Sequence, residues 1–289
     1  MPERGSMRAV CASVFVLILA TAAAGQVRPA APAAEYREFT SKINGREYAT
    51  WVLLPDSYTK DASRRFPVVY VTDGQLVFPM MSSIYRAMWL GNDLPELIIV
   101  GIDSKQVDTW NALRFVNLTP TRSLKREAEL TYLSGVHTGE GPTFLRVLTE
   151  EVLPDIDRRY RTSDDRTLTG YSLGGLFGAY TLFQAPNIFR RMILGSPAFY
   201  WDDTVIFKIE EQFAAARKPL HTRVFIAAGG AEPPPMIEQL QRFVSVVNNR
   251  QYDGLSLESH VFDDETHMSA EAPIAARGLR VVFRESPSK

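Results

Sequence analysis

A serine flanked by glycines is the first candidate for chemistry in this chain. Residues 170–174 read Gly-Tyr-Ser-Leu-Gly, a G-x-S-x-G pattern centred on Ser172. Glycines on either side leave room for a sharp turn from strand to helix, and that turn projects the serine hydroxyl above the sheet. The strand-like run RTLTGY precedes Ser172 and the helix-like run LGGLFGAYTLF follows it. The pattern predicts a nucleophilic serine, with the backbone N–H of Leu173 placed to stabilise developing negative charge.

A serine hydroxyl needs a base, and the chain has four histidines from which to choose. His267 follows the last predicted strand, where the chain order serine, acid, histidine places the base. His260 falls within that strand, and His221 precedes a strand at the end opposite to the site. His137 lies in a long loop and breaks the chain order, although it could touch substrate. We therefore predict that His267 is the base.

The acid that orients the histidine is expected after the strand before last. The run TRVFIAAGG leads into a loop that contains Glu232 and is followed by three prolines. Asp263 and Asp264, just upstream of His267, are the alternative acids. They could instead form a solvent-exposed turn without a catalytic role. Loss of the acid costs a serine hydrolase less than loss of its serine or histidine. Glu232 is the preferred acid, and a serine–histidine pair without an acid stays open.

A second donor to the oxyanion is expected from the loop after an earlier strand. The run VVYVTDGQ ends in such a loop, so the backbone N–H of Gly74 or of Gln75 is the candidate. A plain turn at Asp73-Gly74 is the alternative. Since the donor would be a backbone group, side-chain substitution would test it poorly.

The elements that must position these groups alternate along the chain. Two β-like runs surround Asn44-Gly45, a strong hairpin signal. Several later strands are apolar on both faces, as in ELIIVGI, which suits a sheet covered by helices on each side. The alternation predicts an α/β fold with a mostly parallel, doubly wound sheet and an N-terminal antiparallel hairpin. The predicted strands are FPVVYVTDG, LPELIIVGID, RTLTGYS, FRRMILGSP, TRVFIAAGG and LSLESHVF, and the predicted helices lie around 77–90, 142–160, 173–185, 203–217, 235–250 and 269–284.

Substrate contacts are expected from a long loop and from an aromatic segment. Residues 104–142 lack a clear period, and loops of this length are usually functional or mobile. Arg114 in this loop could bind an anionic or phenolic group through its fork of donors, or brace the loop by a salt bridge. Candidates to line an aromatic pocket, with a role in capping the core as the alternative, are Phe199, Tyr200 and Trp201, and Tyr171 lies beside the serine.

Composition and the first residues set limits on partners and compartment. The 289 residues carry a net charge of −1, so no strong field favours nucleic acid. Residues 1–25 have a basic start, an apolar run and small residues, the pattern of a signal peptide, which predicts export and no membrane association after cleavage. Residues 26–35 are a Pro/Ala linker, and 36–285 are read as a single domain. Cys11 is the only cysteine, and neither metal nor cofactor motifs are present.

A series of motifs resembles the putative-esterase group of the α/β-hydrolase superfamily. In order these are TDG, RFVNLTPT, FLRVLTEEVLPDIDRRYRT, GYSLGGLFGAY, LGSPAFYW and THMS, and they span about residues 36–285. The group includes esterase D-like enzymes, feruloyl esterases and esterases of catecholate siderophores. The resemblance implies a serine carboxylic-ester hydrolase without a cofactor, with Ser172 as nucleophile, His267 as base and Leu173 as an oxyanion amide. Glu232 matches a position that often holds the acid.

The resemblance leaves the substrate open. An exported small ester or lactone is expected, with a catecholate siderophore as one candidate. A feruloyl or acetyl esterase of plant polymers is a second candidate. An acyl transferase or a binding protein on the same fold is a third. The oligomeric state is not indicated by the sequence.

Overall fold

An eight-stranded sheet forms the centre of the described part of the chain. The structure is a computed structural model and describes residues 34–106, 110–130, 135–216 and 218–284. The predicted signal peptide and most of the predicted linker lie outside these residues. In chain order the strands β1 to β8 span Glu35–Thr40, Glu47–Leu53, Phe66–Val71, Ile98–Ser104, Thr162–Tyr171, Arg191–Gly195, Arg223–Gly229 and Ser256–Phe262.

Helices connect most of the strands and cover the sheet. A π-helix, Val147–Val152, follows the α-helix Gly141–Arg146 and precedes the α-helix Leu153–Arg159, so it interrupts what the sequence predicts as one helix over 142–160. The helices α1 to α9 span Gly74–Leu90, Trp110–Asn117, Leu124–Glu129, Gly141–Arg146, Leu153–Arg159, Leu173–Gln184, Val205–Ala215, Pro234–Arg250 and Glu271–Phe283. Among the described helices, none has the length and apolar character to cross a bilayer.

The strand order is β1-β2-β4-β3-β5-β6-β7-β8, and the strands from β4 to β8 in this order are parallel. The first two strands form an antiparallel hairpin, and β2 pairs antiparallel with β4. This confirms the predicted α/β fold with its N-terminal antiparallel hairpin. One row of paired residues crosses the sheet from its edge to its centre: Glu35, Val52, Val100, Tyr70 and Leu168.

The core consists of two clusters, one on each face of the sheet. Val68 and Tyr70 belong to one cluster, and Val69 and Val71 belong to the other, as the alternation of side chains along a strand requires. All four side chains are buried. Burial on both faces explains why the central strands read as continuous apolar runs.

The stretch predicted to be irregular, 104–142, contains two short helices, so that prediction is wrong in part. In α2, Ala112 and Val116 are buried one turn apart, which gives the helix an inward face. The α3 helix begins after Ser123, whose hydroxyl accepts a hydrogen bond from the amide of Arg126. A further small difference is that β1 begins at Glu35, the last residue of the predicted linker.

Candidate active site

The predicted nucleophile occupies a tight bend between β5 and α6. Ser172 has φ 57° and ψ −111°, a backbone conformation that non-glycine residues rarely adopt. A Cβ on Gly170 would lie 2.3 Å from the carbonyl oxygen of Gly174, and one on Gly174 would lie 2.4 Å from Oγ1 of Thr72. Both glycines are therefore required by close packing. The bend is fixed further by the Ser172 amide, which donates to the carbonyl of Gly195 at 2.9 Å.

The predicted base and acid form a hydrogen-bonded pair. His267 lies between β8 and α9, and Glu232 lies between β7 and α8. Nδ1 of His267 is 3.1 Å from Oε2 of Glu232, whose side chain is buried. The other oxygen, Oε1, accepts hydrogen bonds from the Gly229 amide at 2.8 Å and the Ser196 hydroxyl at 2.5 Å. Burial acts to raise the pKa of Glu232, but hydrogen bonds from His267, Ser196 and Gly229 outweigh it and lower the pKa.

Tyr171 connects this pair to the bend. It precedes Ser172, and its ring centroid is 5.2 Å from that of His267. Its phenol donates a hydrogen bond to the backbone carbonyl of His267 and lies 2.8 Å from the hydroxyl of Ser196. Burial raises the pKa of the phenol, so it stays protonated and able to donate. The residue beside the serine therefore holds the loop that carries the histidine.

Two helix N-termini supply the candidate oxyanion donors. Leu173 is the first residue of α6 and Gly74 is the first residue of α1, so neither amide has a partner in its own helix. The two helix starts are close, because a Cβ on Gly174 would lie 3.4 Å from Oδ2 of Asp73. The amide of Gln75, by contrast, donates to Oδ2 of Asp103 at 3.3 Å.

A group of charged side chains surrounds the turn between β3 and α1. Arg114 donates from Nε and Nη2 to the two oxygens of Asp73, at 2.6 and 2.9 Å. Its guanidinium also lies 4.9 Å from the ring centroid of Trp110, whose Nε1 donates to Asp103 at 2.7 Å. Burial acts to lower the pKa of Arg114, but the charge of Asp73 outweighs it. Arg114 thus makes the salt bridge that the sequence offered as the alternative to substrate binding.

Two nearby carboxyl groups have raised pKa values. Burial, followed by the charge of Asp73, raises the pKa of Asp103 to about 7, against hydrogen bonds from Trp110 and two backbone amides. Burial and the same aspartate raise the pKa of Glu271, at the start of α9, to about 6. Perturbed carboxyl groups often cluster at functional sites.

Comparison with known proteins identifies the family. The profile of the family described as Putative esterase matches residues 41–268. The chain belongs to the putative esterase family. It is a carboxylic ester hydrolase.

Relatives of this esterase are siderophore esterases by name. The ferri-bacillibactin esterase BesA of Bacillus subtilis is 27% identical over 259 residues, which cover 86% of this chain and 89% of BesA. The siderophore triacetylfusarinine C esterase of Aspergillus fumigatus is 24% identical over 252 residues, covering 76% and 82% of the two chains. The crystal structure of the BES protein from Bacillus cereus superposes with a TM-score of 0.77 at 24% identity, over 87% of this chain and 96% of that one.

The aromatic segment after β6 does not form the expected pocket in this structure. Phe199 and Trp201 are buried in the core of the esterase, and the rings of Phe199 and Phe243 are tilted by 32° with their centroids 4.5 Å apart. Nε1 of Trp201 donates to a backbone carbonyl, so the indole is satisfied internally. Tyr200 is half-buried, and the guanidinium of Arg126 lies over its ring. Phe199 and Trp201 therefore cap the core, which is the alternative that the sequence left open to an aromatic pocket.

The remaining predicted residues lie apart from the histidine–glutamate pair. Asp263 and Asp264 are exposed in the turn after β8, and no described contact joins them to His267. His137 contacts Arg122 through Nδ1 at 2.7 Å. Within the described ranges, no group of three or more histidine, cysteine or carboxylate side chains could hold a metal ion.

Sequence reasoning missed several side chains that shape the site. The sequence predicts no role for the Asp73 and Asp103 side chains, which lie at or just after the ends of strand-like runs. Ser196 lies in the LGSPAFYW run, which predicts no role for it, yet its hydroxyl donates to Oε1 of Glu232 and its backbone φ is 39°. The only sequence signal for these residues is their position at the carboxyl ends of strands, where α/β proteins place their sites.

Proposed function

We propose that this esterase cleaves its substrate through an acyl-enzyme on Ser172. The observation that carries the proposal is the contact between His267 Nδ1 and Glu232, in a loop held by the residue next to the serine. With Nδ1 protonated and engaged by the carboxylate, Nε2 has a lone pair to accept the serine proton.

The proposed reaction has two steps. The Ser172 oxygen attacks the ester carbonyl while His267 takes its proton, and the resulting oxyanion is stabilised by the amides of Leu173 and a residue of the β3–α1 turn. The carbon–oxygen bond to the leaving alcohol then breaks, and the imidazolium returns the proton to that alcohol. Water, deprotonated by His267, attacks the acyl-enzyme and releases the acid and the free serine.

We propose an exported small ester or lactone as the substrate, with a catecholate siderophore as the specific candidate. Two relatives named as esterases of siderophores support a siderophore ester, and the catecholate class follows from the family resemblance. Export is supported by the basic, apolar and small-residue pattern of residues 1–25.

The mechanism is tested with Ser172→Ala and p-nitrophenyl acetate. We expect kcat to fall by about 10⁶-fold or to background, as for loss of the nucleophile in related chemistry. A serine-directed fluorophosphonate should label the wild type and leave Ser172→Ala unlabelled. Equal rates in both proteins would refute the proposal. Slow hydrolysis that an added alcohol accelerates would indicate acyl transfer instead.

The substrate is tested with a panel of esters on the same preparation. A trilactone of a catecholate siderophore, methyl ferulate and an acetylated sugar present three different acyl groups. We expect the highest kcat/KM on the trilactone. A higher value on methyl ferulate would reject the siderophore and leave the serine mechanism intact.

A further inference from the structure

The turn that leads from β3 into α1 is clamped by side chains from two other elements. Asp73 sits in the left-handed conformation, with φ 56° and ψ 42°, and turns the chain into α1. Arg114 of α2 binds both of its carboxylate oxygens, at 2.6 and 2.9 Å. A bidentate arginine–carboxylate pair fixes orientation as well as distance. The carboxylate is buried, which strengthens its attraction to the guanidinium.

The next clamp acts on the first turn of α1. Asp103, at the end of β4, accepts hydrogen bonds from Gln75 N at 3.3 Å and Trp110 Nε1 at 2.7 Å through Oδ2. Its Oδ1 accepts from the amide of Ser104 at 2.7 Å. Every one of these partners is a donor, so they favour the ionised carboxylate. The bond to the Gln75 amide therefore ties the start of α1 to the end of β4.

This turn lies beside the serine, so the ion pair and hydrogen bonds that hold it can affect the reaction. A Cβ on Gly174, two residues beyond Ser172, would lie 2.4 Å from Oγ1 of Thr72 and 3.4 Å from Oδ2 of Asp73, so these side chains pack closely beside the start of α6. An uncompensated carboxylate here would repel the oxyanion of the transition state. The guanidinium of Arg114 neutralises Asp73, and Glu271 is a further acidic group that faces the same cluster.

We propose that Arg114 and Asp103 are positioning residues for the β3–α1 turn, which supplies the second oxyanion donor. The inference rests on the proposed serine mechanism. Both side chains act through the turn, and neither contacts the substrate. Arg114 fixes the turn and cancels its charge, and Asp103 holds the first turn of α1 through the amide of Gln75.

The test compares Arg114→Lys and Asp103→Asn with the wild type on p-nitrophenyl acetate. Lysine keeps the charge but loses the fork, and asparagine must turn its NH₂ toward at least one of the donors that the carboxylate accepts. We expect kcat and kcat/KM to fall together by about 10- to 100-fold, less than the full loss of one donor, with KM unchanged. Phenylboronic acid, which forms a tetrahedral adduct on a reactive serine, should bind more weakly by a similar factor.

Arg250→Lys is the matched control. Arg250 also makes a two-point contact with a buried carboxylate, at 2.9 and 3.1 Å from Glu210, on helices α8 and α7. We expect its kcat to stay within about twofold of the wild type. If either site variant fails to fold by circular dichroism, Trp110→Phe, which removes one hydrogen bond to Asp103, replaces it and should give the same pattern more weakly.

The outcomes separate this inference from the proposed function. Site variants that lose no more kcat than Arg250→Lys, or that lose affinity for ester and boronate equally, would overturn the inference. If Ser172→Ala is inactive while these variants behave like the control, the serine mechanism stands and the positioning role falls. Retained activity in Ser172→Ala would instead remove the proposed function itself.

Discussion

At the scale of single residues, Glu232 differs from the other acids in its surroundings. It is buried and holds hydrogen bonds on both oxygens, whereas Asp263 and Asp264 are exposed. The contact with His267 can fix the imidazole tautomer only if that carboxylate is itself held in place. Ser196 and the Gly229 amide supply this support.

We expect Glu232→Gln to lower kcat by about 10²- to 10⁴-fold on p-nitrophenyl acetate, because the amide cannot stabilise the imidazolium. Asp263→Asn is the matched control and should stay within about twofold of the wild type. Steady-state kinetics on both variants decide the matter. A loss below about tenfold for Glu232→Gln would indicate that a serine–histidine pair suffices.

The raised pKa of Asp103 makes stability depend on pH. Its pKa is 3.8 in the unfolded reference and about 7 when folded, so the native state holds more protons between these values. The free energy of unfolding therefore falls as pH rises from 4 toward 7. We expect Asp103→Asn to remove about 2–4 kcal/mol of this fall, measured by urea unfolding at several pH values.

Glu271→Gln provides the comparison for that experiment. The pKa of Glu271 is raised only from 4.5 to about 6, so its contribution is smaller and ends at lower pH. Stability curves of Asp103→Asn that run parallel to the wild type across the whole range would contradict the assignment.

At the scale of elements, the order of strands and helices could be predicted because each central strand is buried on both faces. The chain order of Ser172, Glu232 and His267 followed from the same pattern. The partner of Arg114 could not be predicted, since Asp73 is 41 residues away and nothing local links them. The π-helix was missed because its apolar residues fit an ordinary helical period closely enough.

The bend at Ser172 depends on glycine, and Gly170→Ala tests this. The added Cβ would lie 2.3 Å from the carbonyl oxygen of Gly174, a backbone atom that cannot rotate away. We expect a loss of at least about 1–3 kcal/mol in the free energy of unfolding, the usual cost of overpacking. Thermal and urea unfolding measure it.

Gly91→Ala serves as the control at the end of α1. Gly91 has φ −80°, and its added Cβ would meet no described atom closer than 3.5 Å. Its stability should be equal to the wild type or up to about 1 kcal/mol higher. Similar losses in both variants would show that the bend tolerates a side chain.

At the scale of the whole molecule, the aromatic segment after β6 packs into one of the two core clusters. Phe199 belongs to the segment first expected to bind substrate, yet it packs between Phe207 and Phe243. Its substitution should therefore act through the fold and not through recognition.

We expect Phe199→Leu to lower the free energy of unfolding by about 1–3 kcal/mol, since part of a buried aromatic is lost. The order of kcat/KM values across the ester panel should not change. Leu90→Ala, at a side chain 68% exposed, is the control for stability. A different order of kcat/KM values across the ester panel in Phe199→Leu would instead indicate that Phe199 contributes to substrate binding.

The row of paired residues from Glu35 to Leu168 also bears on practical use of the enzyme. Glu35 is four strands from β5, about 19 Å across the sheet, and it is level with a residue that precedes Ser172 by four positions. A fusion partner or solid support joined ahead of β1 would be attached at a distance from the serine. Immobilisation through this end is therefore compatible with access to bulky esters.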